Sequence, residues 1–407
     1  MRRVAVTGIG IVSCLGNNKA EVWRSLREGA TGVQFVPEMK ELGYRAPVAG
    51  LVRGLSTDGI AKKQLQTMSR VARYAAVATL EALADARLPR EMLRSTRSGV
   101  VVGTGGGGVN DASVAEATLL ANKSPARIGA ALVVRVMNST AALNLAAWLG
   151  VKGRSYSVSS ACATGTDNIG NGFELIRHGI LDRCICGGAE ETGWRHAWAF
   201  GEAAGVMPPD DDTPNACRPF DRDRRGMHFS EGAGILVLES LEEAERRGAP
   251  IMAEVIGYGS ANDGESMFEP SGAGLTRAVR QALRVAEETT GRVEIDYINP
   301  HGAGSRSGDP IEVEVIRTIF GEHAPLVSST KPLNGHSQGA AGAHEAVFTL
   351  LMLSHDFVIP TPNLLQVAPE CEGVPHVRAP LARPLKTAMT FNSGLGGTNS
   401  CLIFQKP

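Results

Sequence analysis

Residues 155–165 read SYSVSSACATG, and the change of pattern inside this stretch indicates the fold. A short run containing valine and tyrosine predicts a buried strand over residues 155–159, and the small residues after it predict the start of a helix. A strand that leads into a helix is the repeating unit of α/β proteins. Other runs that predict buried strands occur at residues 4–9, 99–103, 183–186 and 234–238.

A second series of buried strands is predicted after residue 250, at residues 253–258, 295–299, 326–329, 388–391 and 401–404. Helical patterns lie between the strands, at residues 69–87, 172–178, 241–247, 275–288, 311–320 and 340–354. This alternation favours an α/β fold with a mostly parallel sheet. Because the two series are comparable, we expect two similar halves, residues 1–250 and 251–407, although their sequences show no obvious repeat.

Two of the predicted helices carry start signals. Ser240 and Glu243 form a capping box in front of the helix at residues 241–247. Asp309, Pro310 and Glu312 match an acidic N-cap, a proline at the first helical position and a glutamate at the third.

The composition is that of a soluble globular protein. The chain has 407 residues, of which 43% are hydrophobic and 20% charged, so the disordered, collagen-like and membrane-bundle classes are excluded. With 41 Lys and Arg against 42 Asp and Glu, the formal net charge of -1 argues against a general nucleic-acid or membrane-surface binder. The longest apolar stretch beyond the N-terminal segment, residues 346–353, is too short to cross a bilayer.

The cysteines predict the compartment. They are scattered at positions 14, 162, 184, 186, 217, 371 and 401. Their odd number and wide spacing predict reduced thiols in a cytoplasmic protein rather than a secreted disulfide framework. The N-terminal sequence MRRVAVTGIGIVSCLG imitates a signal peptide, but its glycines and missing cleavage site favour a first buried strand.

Cys162 is a candidate nucleophile. It lies between a predicted strand and a predicted helix start, where the helix dipole would lower the pKa of its thiol and the small neighbours leave room for an acyl chain. The alternative is a buried cysteine that acts as a small hydrophobic residue. Cys184 and Cys186 lie inside a predicted strand without a second pair at zinc spacing, so we interpret them as packing residues and predict no metal site.

His301 and His336 lie in glycine-rich loops, NPHG and NGHS, after predicted strands. Such loops bring side chains to a common sheet edge, where a neutral imidazole can donate its Nε2–H to a developing enolate oxygen. Taken alone, a histidine in such a loop is more often a structural residue. Lys331 could pair with a carboxylate, and Glu312 is available, although its other interpretation is the helix cap described above.

Residues 335–339, GHSQG, match the G-x-S-x-G nucleophile elbow, so a serine hydrolase or acyltransferase that uses Ser337 is the enzymatic rival. That elbow needs a strand running directly into the serine, whereas the predicted strand ends several residues earlier. Its triad would have to use Asp356 and His376. The glycine-rich residues 103–108 lack the Lys-Ser/Thr pair of a phosphate loop, and we predict a close-packed turn there.

Several motifs in a fixed order resemble those of the β-ketoacyl-acyl-carrier-protein synthases, and within that family most of all the bacterial type I condensing enzyme of fatty acid synthesis. They cover essentially the whole chain, as VAVTGIGIVSCLGNN, SSACATG, GGAEE, RPFDRDRRG, SEGAGILVLE, SGDPIE, STKPLNGHSQGAAG and GLGGTN. The resemblance implies a thiolase-like fold of duplicated α/β halves in five layers, and a dimer. It also implies decarboxylative Claisen condensation without a metal or an organic cofactor.

The resemblance assigns roles to the candidate residues. Cys162 would hold the acyl chain as a thioester. His301 and His336 would bind the malonyl carbonyl and stabilise the enolate as carbon dioxide leaves. Lys331 and Glu312 would maintain the charge and the geometry of the site.

The surroundings of the site depart from the family pattern. The backbone N–H groups of Cys162 and Leu395 would form the oxyanion hole, Leu395 and Met227 would gate the acyl chain, and Ser305 would contact the pantetheine arm. Leu395 stands where the family usually has phenylalanine, and Ala303 replaces a threonine. These departures suggest a synthase specialised for unusual acyl chains, such as those of a polyene or polyketide pathway, and ordinary fatty acid elongation is the alternative.

The implied partner is an acyl carrier protein that bears acyl or malonyl groups on phosphopantetheine. Because carrier proteins are acidic, we expect a local basic patch, although ordinary solvated side chains are the alternative. The matching residues are Arg45, Lys62, Lys63, Lys123 and Arg127. The dimer would be a homodimer or a heterodimer with a related ketosynthase-like chain, with no nucleic acid or membrane partner. A non-elongating chain-length partner of the same fold is the non-catalytic alternative, which the cysteine and the two histidines disfavour.

Overall fold

The computed structural model describes residues 1–193, 199–208 and 214–407. Its strands are β1 (Val4–Ser13), β2 (Gln34–Phe35), β3 (Val48–Ala49), β4 (Ser98–Gly103), β5 (Ser155–Tyr156), β6 (Arg183–Glu190), β7 (Gly232–Ser240), β8 (Ala253–Asn262), β9 (Tyr297–Asn299), β10 (Leu326–Val327), β11 (Phe357–Val358), β12 (Leu381–Ala382), β13 (Thr387–Gly394) and β14 (Thr398–Gln405). Its helices are α1 (Lys19–Glu28), α2 (Pro37–Glu41), α3 (Lys62–Leu65), α4 (Arg70–Asp85), α5 (Val109–Asn122), α6 (Leu132–Val136), α7 (Thr140–Leu149), α8 (Thr164–Arg177), α9 (Ala199–Ala203), α10 (Leu241–Arg246), α11 (Ala273–Thr290), α12 (Gly308–Phe320), α13 (Lys331–Asn334) and α14 (Ala341–His355).

A 10-stranded sheet runs through the described part of the chain in the order β5-β4-β6-β7-β1-β8-β14-β13-β9-β10. Its members are the strands that the sequence predicts. β1 pairs antiparallel with β7 on one side and with β8 on the other, so the β1–β8 pairing is a seam between two halves. When the five strands of each half are numbered in chain order, their spatial order is the same in both halves. From the seam outward it is first, fifth, fourth, second and third. This repeated order supports duplication, while the boundary at residue 250 stays a prediction.

The prediction of a mostly parallel sheet is wrong. In each half the two outer pairs are parallel and the two inner pairs are antiparallel. The reason is visible at β13 and β14, which form a hairpin closed by Gly396 and Gly397, both at positive φ. A tight turn of this kind reverses the chain without a crossover helix, so the adjoining strands must be antiparallel.

The helices form three layers around the two halves of the sheet. α8 and α14 pack against strands of both halves and therefore lie between them. α4 and α7 cover the outer face of the first half, while α11 and α12 bury their apolar sides on the outer face of the second. The five-layer α/β arrangement that the family resemblance implies is confirmed.

The two predicted helix starts have different outcomes. Ser240 caps α10 as predicted, since its hydroxyl accepts the N–H of Glu243 at 3.4 Å. Asp309 is not the N-cap of α12, which begins one residue earlier, at Gly308. Its buried carboxylate instead accepts the N–H groups of Phe220 at 2.8 Å and Ser305 at 3.0 Å. These bonds connect two loops to the helix.

The N-terminal segment is buried along the whole of β1, as expected for a strand in the middle of the sheet. Among the described residues, no helix has both the length and the apolar character that a bilayer crossing requires.

Two glycines of β1 allow α4 to lie directly on the sheet. A Cβ atom at Gly10 would lie 1.9 Å from the carbonyl oxygen of Ala78, and one at Gly8 would lie 2.3 Å from that of Ala82. Any side chain at these positions would push the helix away from the strand.

We expect Gly10→Ala to lower the free energy of unfolding by about 1–3 kcal/mol, because the added methyl group overpacks the β1–α4 contact. Chemical denaturation measures the change. The exposed residue Glu287 on α11 offers a matched control, since Glu287→Ala should change stability by less than about 0.5 kcal/mol. Equal stability of Gly10→Ala and the wild type would contradict the close approach of helix and strand.

Candidate active site

The structure brings Cys162, His301 and His336 together. Cys162 lies in a short 3-10 turn, Ala161–Ala163, directly before α8. His301 follows β9, and His336 follows α13. The sulfur and one nitrogen of each ring lie within 4.8 Å of one another, and Sγ of Cys162 is 3.1 Å from Nε2 of His336. The ring centroids of the two histidines are 5.0 Å apart at an interplanar angle of 81°.

Hydrogen bonds select the same tautomer for both histidines. Nδ1 of His336 accepts the N–H of Gln338 at 3.2 Å, and Nδ1 of His301 accepts Nδ2–H of Asn392 at 3.3 Å. The remaining proton of each neutral ring is therefore on Nε2. Burial, together with the charge of Lys331, places the pKa of both rings well below the usual 6.5. Both histidines are neutral hydrogen-bond donors at neutral pH.

Lys331 pairs with Glu345 of α14 and not with Glu312. Its Nζ contacts a Glu345 carboxylate oxygen and the carbonyl oxygen of His301, and both charged side chains are buried. Glu312 accepts the N–H of Gly302 at 2.9 Å instead, so it holds the loop after His301. The predicted Lys331–Glu312 alternative is therefore wrong, because α14 places a closer carboxylate beside the ammonium group.

Asn392 and Glu345 are site residues that sequence reasoning missed. Asn392 donates to Glu345 Oε2 at 2.6 Å and to His301, while its carbonyl oxygen accepts the hydroxyl of Thr166 at 2.6 Å. The bond from Thr166 fixes which end of the amide faces His301. Only the positions of these two residues in the sequence could have indicated a role. Glu345 lies on the helix after His336, and Asn392 lies just before the GLGGTN motif.

The predicted lowering of the Cys162 pKa is wrong. The residue is only partly buried, yet the protein around its thiol removes water and raises the pKa to about 11. The charge of Lys331 and the N–H of Leu395 act in the opposite direction. Desolvation therefore outweighs the helix start, and the free thiol is protonated at neutral pH.

The backbone of the β13–β14 hairpin lies against the Cys162 loop. A Cβ atom at Gly394 would be 3.0 Å from the N atom of Cys162, and Thr398 Oγ1 donates to the carbonyl oxygen of Ser160 at 3.0 Å. With the N–H of Leu395 directed at the sulfur, this geometry places two backbone N–H groups near the reacting atoms.

Two cavities meet at Cys162. The entrance cavity, about 170 Å³, is lined by the cysteine, both histidines, Ser305 and Met227. The inner cavity, about 670 Å³, extends in the other direction, toward the turn at residues 105–106. Both walls include Cys162, Leu395, Phe200 and Phe229.

The two predicted gate residues have different positions relative to these cavities. Leu395 lies in the wall of both cavities and is 41% exposed, which suits a gate between them. Met227 lines the entrance cavity and is not among the described residues that line the inner cavity.

A buried carboxyl group explains the glycine-rich turn. Glu190 accepts the hydroxyl of Thr104 at 2.8 Å and the N–H groups of Gly105, Gly106 and Gly339 at 2.7, 3.3 and 3.0 Å. A Cβ atom at Gly105 would lie 2.7 Å from this carboxylate. Burial raises the pKa of Glu190 to about 7. The close-packed turn predicted here is the wall of the inner cavity.

The geometry of a serine hydrolase is absent from the described residues. Ser337 is fully buried, and its hydroxyl lies 2.9 Å from Nδ1 of His344. The triad partners considered from the sequence lie elsewhere, since Asp356 pairs with Lys406 and Nε2 of His376 bonds a backbone carbonyl at 2.8 Å.

His344 instead supports the loop that carries His336. Its Nε2–H donates to the carbonyl oxygen of Val12 at 3.0 Å, and its Nδ1 accepts from Ser337 and from Asn334 at 3.1 Å. The ring therefore connects β1 to both sides of His336 and acts as a positioning residue.

Two family models match the chain, the beta-ketoacyl synthase N-terminal domain over residues 1–244 and its C-terminal domain over residues 252–365. The chain belongs to the β-ketoacyl synthase family. It is 40% identical to 3-oxoacyl-[acyl-carrier-protein] synthase 1 of Haemophilus influenzae, over 100% of this chain and 99% of that protein.

Solved structures of ketosynthases share the fold. A β-ketoacyl synthase from Burkholderia phymatum has a TM-score of 0.93 and 33% identity, covering 100% of both chains. The ishigamide ketosynthase/chain length factor has a TM-score of 0.90 and 32% identity, covering 100% of this chain and 99% of that one. The predicted thiolase-like fold and the predicted ketosynthase class of acyltransferase are therefore confirmed.

The cations predicted to dock a carrier protein are exposed on this ketosynthase. Lys62 and Lys63 begin α3, Lys123 directly follows the last residue of α5, and Arg127 lies in the turn after it. Arg45 is bound by the carboxylate of Glu202 at 3.0 Å, so part of its charge is already compensated.

The raised pKa of Cys162 predicts how the ketosynthase reacts with an alkylating agent. Because the thiolate is the reactive form and the pKa is about 11, alkylation by iodoacetamide should rise about tenfold per pH unit between pH 7 and 9 without levelling off. Intact-mass spectrometry measures the rate, with Cys162→Ala as the control for the other thiols. A plateau below pH 9 would show that the helix start outweighs desolvation.

Proposed function

We propose that this ketosynthase forms a β-ketoacyl thioester by decarboxylative condensation, with Cys162 as nucleophile and His301 and His336 as the groups that bind the malonyl unit. The observation that carries this proposal is the triangle of one sulfur and two ring nitrogens within 4.8 Å. The triangle lies where two cavities meet. A nucleophile, two neutral donors and two separate spaces suit a reaction that joins two substrates.

In the first half-reaction, Sγ of Cys162 attacks the carbonyl carbon of an acyl thioester in the entrance cavity. The bond from that carbon to the carrier sulfur breaks, and the carrier thiolate takes up the proton lost by Cys162. The N–H groups of Cys162 and Leu395 donate to the oxyanion of the tetrahedral intermediate. The acyl chain then occupies the inner cavity.

In the second half-reaction, a malonyl thioester enters and its thioester carbonyl oxygen accepts Nε2–H of His301 and of His336. Loss of carbon dioxide leaves the electron pair of the broken C–C bond as an enolate, which the two donors stabilise. The enolate carbon attacks the acyl carbonyl carbon. The C–S bond to Cys162 breaks, and the sulfur regains a proton from solvent.

The reaction as proposed uses no metal or organic cofactor, because the departing carboxylate supplies the electron pair. The triangle of Cys162, His301 and His336 has the donor set and spacing of a zinc site. An ion bound there would occupy the sulfur and both nitrogens that the condensation needs, so we assign these atoms to the substrates.

The substrates would arrive on an acyl carrier protein, which the name of the Haemophilus influenzae relative specifies for that enzyme. The docking patch would attract an acidic carrier by its charge. It would consist of Arg45, Lys62, Lys63, Lys123 and Arg127. Ser305, in the wall of the entrance cavity, would contact the pantetheine arm.

A second chain, identical or related, would cover an apolar face of the first half. None of the residues of α5 is buried, and Val114, Leu120 and Val133 are between 64% and 70% exposed. β5 is an edge strand of the large sheet and offers unpaired backbone groups nearby. A dimer would bury both features.

The proposed setting is cytoplasmic, which the seven free cysteines support. A chain-length partner without condensing activity is the second candidate. The contact of Cys162 with His336 favours the condensing enzyme, since a non-elongating partner needs neither group. The rebuilt gate at Leu395 supports a specialised acyl substrate rather than ordinary elongation.

Substitution of the triangle separates the proposed roles. Cys162→Ala should abolish condensation and leave the fold intact, because the covalent step is lost while little volume is removed. His301→Ala and His336→Ala should reduce decarboxylation of malonyl carrier protein by about a hundredfold or more, with a smaller effect on acylation of Cys162. Intact-mass analysis of the acylated enzyme and released carbon dioxide measure the two steps. Equal loss of both steps would assign the histidines another role.

Leu395→Phe tests the gate. The backbone N–H remains available, so decarboxylation of the malonyl thioester should stay within about threefold, equivalent to less than about 1 kcal/mol. The bulkier aromatic ring should shift acyl preference toward flexible saturated chains. The measurement is the ratio of acylation rates for a saturated and a polyunsaturated chain of equal length. An unchanged ratio would remove Leu395 from chain selection.

A further inference from the structure

A third cavity, about 520 Å³, adjoins the entrance cavity and contains two arginines, Arg225 and Arg306. We call it the arginine cavity. Its wall shares Val206, Met227 and Ser305 with the entrance cavity, so the two spaces are neighbours along one path. The catalytic triangle lies on the entrance-cavity side of that path.

The two arginines are available for a ligand. Both are exposed, and the described residues provide no ion-pair partner for either. Their neighbours differ, since Arg222 pairs with Asp223 at 3.8 Å and Arg224 pairs with a glutamate at 2.8 Å. Among the described residues of the cavity wall there is no carboxylate, whereas the hydroxyl-bearing residues Ser305 and Ser307 are present.

The backbone around the pair is held in place. The buried guanidinium of Arg224 donates to the carbonyl oxygens of Ser305 and Arg306, each at 2.9 Å. The N–H of Gly226 donates to the carbonyl oxygen of Gly304, also at 2.9 Å. These hydrogen bonds connect the segment that carries Arg225 to the segment that carries Arg306. The two side chains therefore start from backbone segments that are held together.

We propose that Arg225 and Arg306 bind the phosphate group of the pantetheine arm that delivers the thioester. This proposal rests on the proposed function, because it assumes a thioester carried on such an arm. Guanidinium groups match phosphate oxygens with paired, charge-assisted hydrogen bonds, and serine hydroxyls can add further donors. A phosphate held beside the entrance cavity would leave the rest of the arm directed at Cys162.

Direct binding tests the site without relying on turnover. Calorimetry of the full-length protein with 4′-phosphopantetheine and with pantetheine compares two ligands that differ only in the phosphate. The wild type should bind the phosphorylated ligand at least about tenfold more tightly, a difference of about 1.4 kcal/mol. In the double variant Arg225→Gln/Arg306→Gln the two affinities should become equal.

Arg222→Gln is the matched control, since it removes an exposed arginine of the same segment that does not line the cavity, and it should keep the phosphate preference. Unchanged melting temperatures would show that all variants are folded. Equal binding of both ligands by the wild type, or a preference retained in the double variant, would overturn the proposal. Neither result depends on condensation, so failure of the phosphate site and failure of the proposed function are distinguishable.

Kinetics then identify the source of the phosphate. The double variant should raise the KM for malonyl carrier protein if the arm is presented by the carrier, and the KM for malonyl-coenzyme A if the free cofactor is used. Either increase supports the site. An unchanged KM for both substrates would contradict it, even if phosphopantetheine alone is bound.

Discussion

The buried ion pair between Lys331 and Glu345 organises the active site. Lys331 also holds the carbonyl oxygen of His301, and Glu345 holds Asn392, which in turn bonds the imidazole of His301. Removal of one partner would leave an uncompensated charge in the interior, at a cost of about 3–5 kcal/mol. The same ammonium group lowers the pKa of His301 and of His336. The pair therefore positions His301, and its ammonium group adds to the effect of burial, which is the larger cause of the lowered pKa of both histidines.

Desolvation gives the resting site its electrical neutrality. Burial raises the pKa of Cys162 and lowers that of both histidines, so the three groups are uncharged together at neutral pH. The backbone N–H groups near the sulfur and the Nε2–H groups of the two histidines contact a negatively charged oxygen only when a thioester reacts. Such a site stabilises the charge of the transition state more than any charge in the free enzyme.

Short-range patterns in the sequence were sufficient for much of the fold and for selecting three candidate site residues, whose roles came only from the family resemblance. The strands of the large sheet follow from local apolar runs, and Cys162, His301 and His336 follow from glycine-rich loops at strand ends. Strand direction could not be predicted from these runs, because strands joined by a hairpin and strands joined by a crossover helix have the same apolar pattern. The partner of Lys331 did not follow either, because Glu345 and Glu312 are equally acidic in sequence and differ only in distance. The sign of the Cys162 pKa shift depends on water excluded by residues distant in the chain.

The seam of the sheet has a consequence for the origin of the enzyme. β1 and β8 pair through only three residue couples, from Val4 with Val255 to Val6 with Ala253. Cys162 lies on one side of this seam, and His301 and His336 lie on the other. A single ancestral unit with one half of the sheet would have had to assemble with a copy of itself to bring such groups together. Duplication of such a unit would make the interface of that pair internal, and each half could then lose the groups that the other retains.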